Sequence, residues 1–181
     1  MAENKPKSIL ITGCSSGIGY TAAHMLHKRG WQVFASARDA AAVERLKQEG
    51  LNAVQLDLNE TDSIRMALDW VLKQTGGTLD ALFNNGAFAI PAALEDLSRV
   101  ALAYQIDTGL LGWHELTMAV LPVMRAQGHG RIVNTGSVMG LSAMRFRGAY
   151  CTTKHALEGW SDVLRLELIT KIGRASCRER V

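Results

Sequence analysis

Thr12-Gly13-Cys14-Ser15-Ser16-Gly17-Ile18-Gly19 begins where a short first strand, Ser8-Ile9-Leu10-Ile11-Thr12, ends, and it precedes an amphipathic stretch that reaches about Arg29. Three glycines gathered at one strand-to-helix junction have a definite use. Without a Cβ the chain turns tightly and its backbone approaches a pyrophosphate closely, while the helix N-terminus offers unpaired N–H groups and partial positive charge. The spacing is G-x-x-x-G-x-G rather than the G-x-G-x-x-G of the commonest dinucleotide-binding turn. Its placement at the start of the chain predicts a phosphate-binding turn opening an α/β domain.

The pattern outward from this turn alternates strand and helix. Gln32 to Ala37 reads as a second strand, Ala40 to Gln48 as a second helix ended by Gly50, and Ala53 to Asp57 as a third strand. Thr61 is expected to cap a helix that carries Ile64, Ala67, Leu68, Val71 and Leu72 on one face and ends at Gly76-Gly77. Leu79 to Asn84 is a fourth strand, followed by a helical region from about Ser98 to Gln127 with an expected break near Gly109. Arg131 to Thr135 is a fifth strand. Ala149 to Thr170 is a last helix, in which Ala156, Leu157, Trp160, Val163, Leu164 and Leu168 keep the helical period. Near-continuous apolar strands alternating with helices imply a parallel sheet covered on both faces, a doubly wound α/β domain of Rossmann-like kind.

At 181 residues, 48% apolar and 20% charged, the chain has the composition of one soluble globular domain. No apolar run approaches the length needed to span a bilayer, and no cleavable apolar leader opens the chain, so a cytoplasmic location without a membrane partner is expected. Cys14, Cys151 and Cys177 have no paired spacing, which argues against a disulfide framework or a zinc site. His24 and His27 lie three apart without an accompanying cluster of ligands and read as a solvated helix face, so no metal is expected.

The net charge of +3 is local. Of 20 basic and 17 acidic residues, the last eleven hold four and one, and the remaining chain is balanced. No electrostatic footprint for nucleic acid is left. That terminal stretch, ending Ile172-Gly-Arg-Ala-Ser-Cys-Arg-Glu-Arg-Val181, breaks the hydrophobic period of the helix before it and reads as the in-frame translation of a sequencing adapter. The expected organisation is therefore a domain over residues 1–170, truncated on its C-terminal side, and a non-native tail over 171–181.

Two further features bear on chemistry. An acid at the end of the second strand would bind the 2′-hydroxyl of an NAD ribose; here the strand ends at Ala37 and is followed by Arg38, which suits a 2′-phosphate. NADP(H) is thus favoured, with NAD(H) left open. Tyr150-Cys-Thr-Thr-Lys154 opens the last helix, and a four-residue step puts both side chains on one face. An ammonium beside a phenol favours the phenolate, which lets tyrosine exchange a proton with an alcohol or carbonyl. Ser137 stands at the end of the fifth strand, where its hydroxyl could bond a substrate oxygen.

Thr12 to Gly19, Asn84-Asn85-Gly86-Ala87, Ser137, and Tyr150 with Lys154 together resemble the short-chain dehydrogenase/reductase family, in its order and spacing, from about Ser8 to Thr170. Within it the chain looks most like bacterial relatives of retinol and 17β-hydroxysteroid dehydrogenases. The resemblance implies a sheet ordered 3-2-1-4-5-6-7, of which 3-2-1-4-5 is present here. It also implies homo-oligomers through the two long helices, and hydride transfer between NADP(H) and a small-molecule carbonyl or alcohol substrate. It makes Tyr150 the general acid/base, Lys154 its partner and a ligand of the nicotinamide ribose, and Ser137 the group that polarises the carbonyl. Gly13, Ser15, Gly17, Ile18 and Gly19 would hold the pyrophosphate, Arg38 the 2′-phosphate, Asp57 and Leu58 the adenine, and Asn84 and Gly86 the adenosine-side ribose and central sheet.

Three departures stand out. Gly86-Ala87 reverses the family's Ala-Gly. Gly109 stands where the family has an asparagine that holds a water between the catalytic lysine and solvent. The sixth and seventh strands and the loop over the nicotinamide are expected to be missing. The alternative is a dinucleotide-binding module or redox sensor without turnover.

Overall fold

The computed structural model describes residues 5–168. The expected tail, and the last two residues of the expected final helix, lie outside them.

Five strands, β1 (Ser8–Ile11), β2 (Gln32–Ala37), β3 (Asn52–Gln55), β4 (Ala81–Asn84) and β5 (Arg131–Asn134), form one parallel sheet in the order β3-β2-β1-β4-β5. Six helices accompany them: α1 (Gly17–Lys28), α2 (Ala40–Gln48), α3 (Thr61–Thr75), α4 (Arg99–Ile106), α5 (Gly112–Gln127) and α6 (Gly148–Leu168). The register pairs Ile9 with Val33 on one side and with Ala81 on the other, and Asn84 with Asn134.

The alternation of side chains along β1 decides the layers. Leu10 joins Phe34, Leu82 and Ile132 in a cluster covered by Ile64, Val71, Trp113, Leu116, Val120, Leu157 and Leu164 from α3, α5 and α6. Ile9 and Ile11 join Val33, Ala35 and Ala53 in a second cluster covered by Ala23, Val43 and Leu46 from α1 and α2. The sheet is thus buried on both faces, and the crossover direction reverses between β1 and β4. In such sheets the ligand crevice lies beyond the carboxyl ends of the strands at that reversal.

Two local expectations need correction. Thr61 does not cap α3: Glu60 precedes the helix, and the Thr61 hydroxyl donates instead to Glu115 Oε2 on α5 at 3.2 Å. The helical region is also not broken at Gly109. It continues from α4 to α5 through a π-helical turn, Asp107–Leu111. Gly109 is buried there, and a Cβ on it would stand 2.7 Å from Thr153 Cγ2 of α6, so close packing of two helices holds the extra residue in the turn.

Candidate active site

The phosphate turn is held from two sides. Gly13 sits at φ 72°, and a Cβ there would meet Gly86 Cα at 2.5 Å, so the ends of β1 and β4 touch backbone to backbone. Thr12 Oγ1 accepts from the N–H groups of Asn85 and Gly86, both at 2.9 Å. Asn85 Nδ2 donates back to the carbonyls of Thr12 (3.1 Å) and Gly13 (3.3 Å). A Cβ on Gly19 would lie 2.5 Å from Gly13 O, which explains why the first turn of α1 can press against the loop.

Gly17 opens α1 at φ 62°, with open space where a Cβ would stand. Unlike Asp39 on α2 and Ser98 on α4, the Ser16 side chain before α1 makes no capping hydrogen bond, so the first N–H groups of α1 are left for a ligand. Cys14 lies beneath the turn. Burial pushes its thiol up to about 12, with the Ser36 backbone bond opposing, so it stays protonated and inert.

A crevice with two lobes, each about 410 Å³, runs along the carboxyl ends of the strands. Both lobes are lined by Gly13, Ser15, Gly86, Ala87 and Phe88. The outer lobe continues to Arg38, Asp57, Leu58, Tyr104 and Thr108. The inner one continues to Ile18, Thr135, Tyr150 and Lys154. Most residues expected to bind a dinucleotide are therefore brought into two lobes that share a lining.

Four expected site residues lie elsewhere. Gly17 and Gly19 shape the turn without lining either lobe. Asn84 is fully buried: its Nδ2 donates to Thr117 Oγ1 (3.0 Å) and Asn134 Oδ1 (2.9 Å), and Asn134 donates on to Ser161 Oγ (3.0 Å). It ties β4 to β5, α5 and α6 rather than facing the crevice. Ser137 caps the short turn Val138–Gly140, its Oγ accepting from Met139 N at 3.2 Å; it lines neither lobe, and its own proton is left to donate.

Lys154 is the unusual group of the inner lobe. Its side chain is only 2% exposed, yet it carries an ammonium. The Nζ donates to Thr135 O at 2.6 Å and lies 4.6 Å from the Trp113 ring centre and 5.6 Å from that of Tyr150. Burial lowers its pKa to about 8, against the pull of the Glu158 charge one turn along α6. Trp113 is fully buried, with its indole N–H donating to Gly86 O at 2.8 Å. It forms the floor beneath the ammonium.

Several lining residues gave no signal in the sequence. Thr135 serves through its backbone carbonyl, which no residue type announces. Tyr104, Phe88 and Thr108 come from the loop after β4 and from the α4–α5 region, and only the packing of that region brings them to the crevice. His24 Nε2 faces Glu49 Oε2 at 3.2 Å, and among the described residues no group of three or more potential metal ligands gathers.

The family model for short chain dehydrogenases matches residues 7–174. The chain belongs to the short-chain dehydrogenase/reductase family. It is 45% identical to the uncharacterized oxidoreductase YbbO of Escherichia coli over 90% of this chain and 60% of that protein. It is 37% identical to retinol dehydrogenase 16 of Mus musculus over 90% of this chain and 52% of the other. The chain thus spans about half to three-fifths of the length of the curated relatives it matches. Among solved structures, a short chain dehydrogenase/reductase from Burkholderia phymatum in complex with NAD superposes with a TM-score of 0.88 at 27% identity, covering 98% of this chain and 65% of that one. A variant of actinorhodin polyketide ketoreductase with NADPH gives 0.86 at 30% identity, covering 94% and 68%. The expected strand order 3-2-1-4-5 is present. Among the described residues no helix is long and apolar enough to cross a membrane.

Proposed function

We propose that this chain carries the cofactor-binding and proton-transfer part of an NADP(H)-dependent oxidoreductase that interconverts a small-molecule carbonyl and its alcohol. The observation that carries the reading is the buried Lys154 ammonium, placed beside Tyr150 in a lobe continuous with the one that ends at Arg38. A dinucleotide-binding module has no need of a buried ammonium against a phenol.

When bound, the nicotinamide dinucleotide supplies or accepts the hydride. The chain's own residues do the rest. The uncapped N-terminus of α1 and the Gly13–Ser15 backbone receive the pyrophosphate. Tyr150 Oη gives its proton to the substrate oxygen in reduction and takes it back in oxidation. Lys154, held by Thr135 O and floored by Trp113, keeps positive charge next to the phenol. Ser137 Oγ donates a second hydrogen bond to the substrate oxygen as charge develops there.

Choice of NADP(H) rests on Arg38, an exposed guanidinium at the outer lobe with no carboxylate within ion-pair distance among the described residues. The two nearest acids in sequence and in the lobe are engaged elsewhere. Asp39 accepts from Ala42 N to cap α2, and Asp57 Oδ1 accepts from Asn59. The reading extends to a cytoplasmic homo-oligomer, supported by Val100 and Leu111 in the α4–α5 region and by Val163 and Leu166 on α6, all at least half exposed.

Replacing Tyr150 with Phe in the full-length enzyme tests the reaction. Turnover should fall by about three orders of magnitude with nucleotide affinity kept. Unchanged turnover would remove Tyr150 from the chemistry.

A further inference from the structure

We infer that Tyr104 is a positioning and specificity-determining residue for the cofactor. It holds the Arg38 guanidinium at the rim of the outer lobe and completes with it a two-residue donor site for a phosphate on the adenosine 2′-oxygen. This rests on the NADP(H) reading above and adds to it a residue 66 positions away in the sequence.

Arg38 Nη1 donates to Tyr104 Oη at 2.7 Å, and both residues line the outer lobe. An exposed arginine ordinarily samples many rotamers, and a site that depends on it must order it on binding. Here the order is built in. The Arg38 backbone is fixed by Gln55 Nε2, which donates to its carbonyl at 2.9 Å, and the guanidinium by the phenol.

Tyr104 is itself held at its ring and at its backbone. Its ring packs against Phe88 with centres 5.1 Å apart, and its carbonyl accepts from Thr108 Oγ1 at 3.1 Å. The neighbouring Gln105 pins α4 to the loop after β4 through Phe88 O (2.8 Å) and Ile90 N (2.9 Å).

The direction of the Arg38–Tyr104 bond matters. The phenol oxygen accepts, so its own proton remains to donate, and among the described residues it has no acceptor. Arg38 spends one of its five N–H donors on the phenol and makes no other side-chain bond among those residues. Several guanidinium donors and one hydroxyl donor therefore line one lobe, and among the described residues no carboxylate pairs with the guanidinium. A phosphate monoester, with three acceptor oxygens and net negative charge, fits that set; a free 2′-hydroxyl, which can take only one of those donors, leaves most of it unused. For packing against Phe88 alone, phenylalanine would serve as well as tyrosine.

The test compares two probes of the outer lobe, adenosine 2′,5′-bisphosphate and adenosine 5′-monophosphate, titrated calorimetrically into the chain and into its Tyr104→Phe, Arg38→Ala and doubly substituted variants. The wild-type preference for the bisphosphate should fall about fivefold in Tyr104→Phe, with monophosphate affinity unchanged. In Arg38→Ala the preference should fall roughly a hundredfold, and adding Tyr104→Phe to it should then change little.

Monophosphate binding reports an intact lobe in each variant. Equal loss of both probes in Tyr104→Phe would make Tyr104 a packing residue and overturn the inference, as would an unchanged preference; in both cases the NADP(H) reading stands. If the wild type binds the two probes alike, the NADP(H) reading fails and takes this inference with it.

Discussion

Lys154→Met should reveal that the buried Lys154 ammonium is a burden on the fold. The ordinary lysine pKa is 10.5, and burial brings Lys154 down to about 8. At pH 7 the unfolded chain holds this proton more tightly than the folded one, so the group destabilises the native state. The difference between the two values amounts to about 3 kcal/mol. That cost is fully present below pH 8, and it is lost as pH rises toward 10.5, where the unfolded lysine also discharges. Methionine fills a similar volume without charge. It also leaves the Thr135 carbonyl without its 2.6 Å donor, a penalty that does not vary with pH. The quantity to follow is therefore the difference in unfolding free energy between the wild-type chain and Lys154→Met, measured by urea denaturation from pH 7 to pH 10. Other titrating groups cancel in that difference. The wild type should gain about 2.5 kcal/mol on the variant across the range. A difference constant to within about 0.5 kcal/mol would show that the ammonium is solvated in the folded chain, and the argument from burial would fail.

Other outcomes follow from the same geometry. Gly13→Ala, at φ 72° and with its Cβ 2.5 Å from Gly86 Cα, should cost about 3 kcal/mol or more and lower the thermal midpoint accordingly. Asn84→Leu strips the buried Thr117 and Asn134 oxygens of their donor and should lose about 2–3 kcal/mol in urea unfolding; a loss under 0.5 would mean that the network is dispensable. Gly109→Ala should be destabilising because of Thr153 Cγ2 at 2.7 Å. In a Thr153→Ser background the same change should turn stabilising by up to about 1 kcal/mol, an interaction that a double-mutant cycle measures directly.

The parts of this fold that were legible in the sequence are those whose signals are local. β2 and α2 match their expected limits because Asp39 caps the helix and the apolar run before it is bounded by turn residues. The expected fourth strand was too long at its start for a reason the apolar run conceals. Asp80 donates its N–H to the Ser8 hydroxyl and accepts from the Ser8 N–H through its carboxylate, so it meets β5 through its carbonyl alone, which accepts from Arg131 N at 2.9 Å, and the Leu79 backbone is bonded by the Gln127 side chain. Gly109 marked a weak point in a helix, but whether it breaks, kinks or admits a π turn depends on α6 packed against it, which a helical period does not encode. In the crevice, charge and residue type made Arg38, Tyr150 and Lys154 visible. Asn84 was visible too, but as part of a motif that does not say which way the side chain faces. Tyr104 was not, since nothing near it in the sequence points to Arg38.

The clasp between Thr12 and the Asn85–Gly86 backbone also sets an order of assembly. Its hydrogen bonds join residues 73 and 74 positions apart. A growing chain that has produced only β1, α1 and β2 owns all three glycines of the phosphate turn but none of the groups that hold it in shape. Closure of that long loop must precede the reward of its contacts, which makes the insertion of β4 beside β1 a slow, late event. Nucleotide present during synthesis therefore meets a phosphate turn without its clasp until Gly86 has emerged and docked. From then on it selects the docked state and draws the folding equilibrium toward it by mass action.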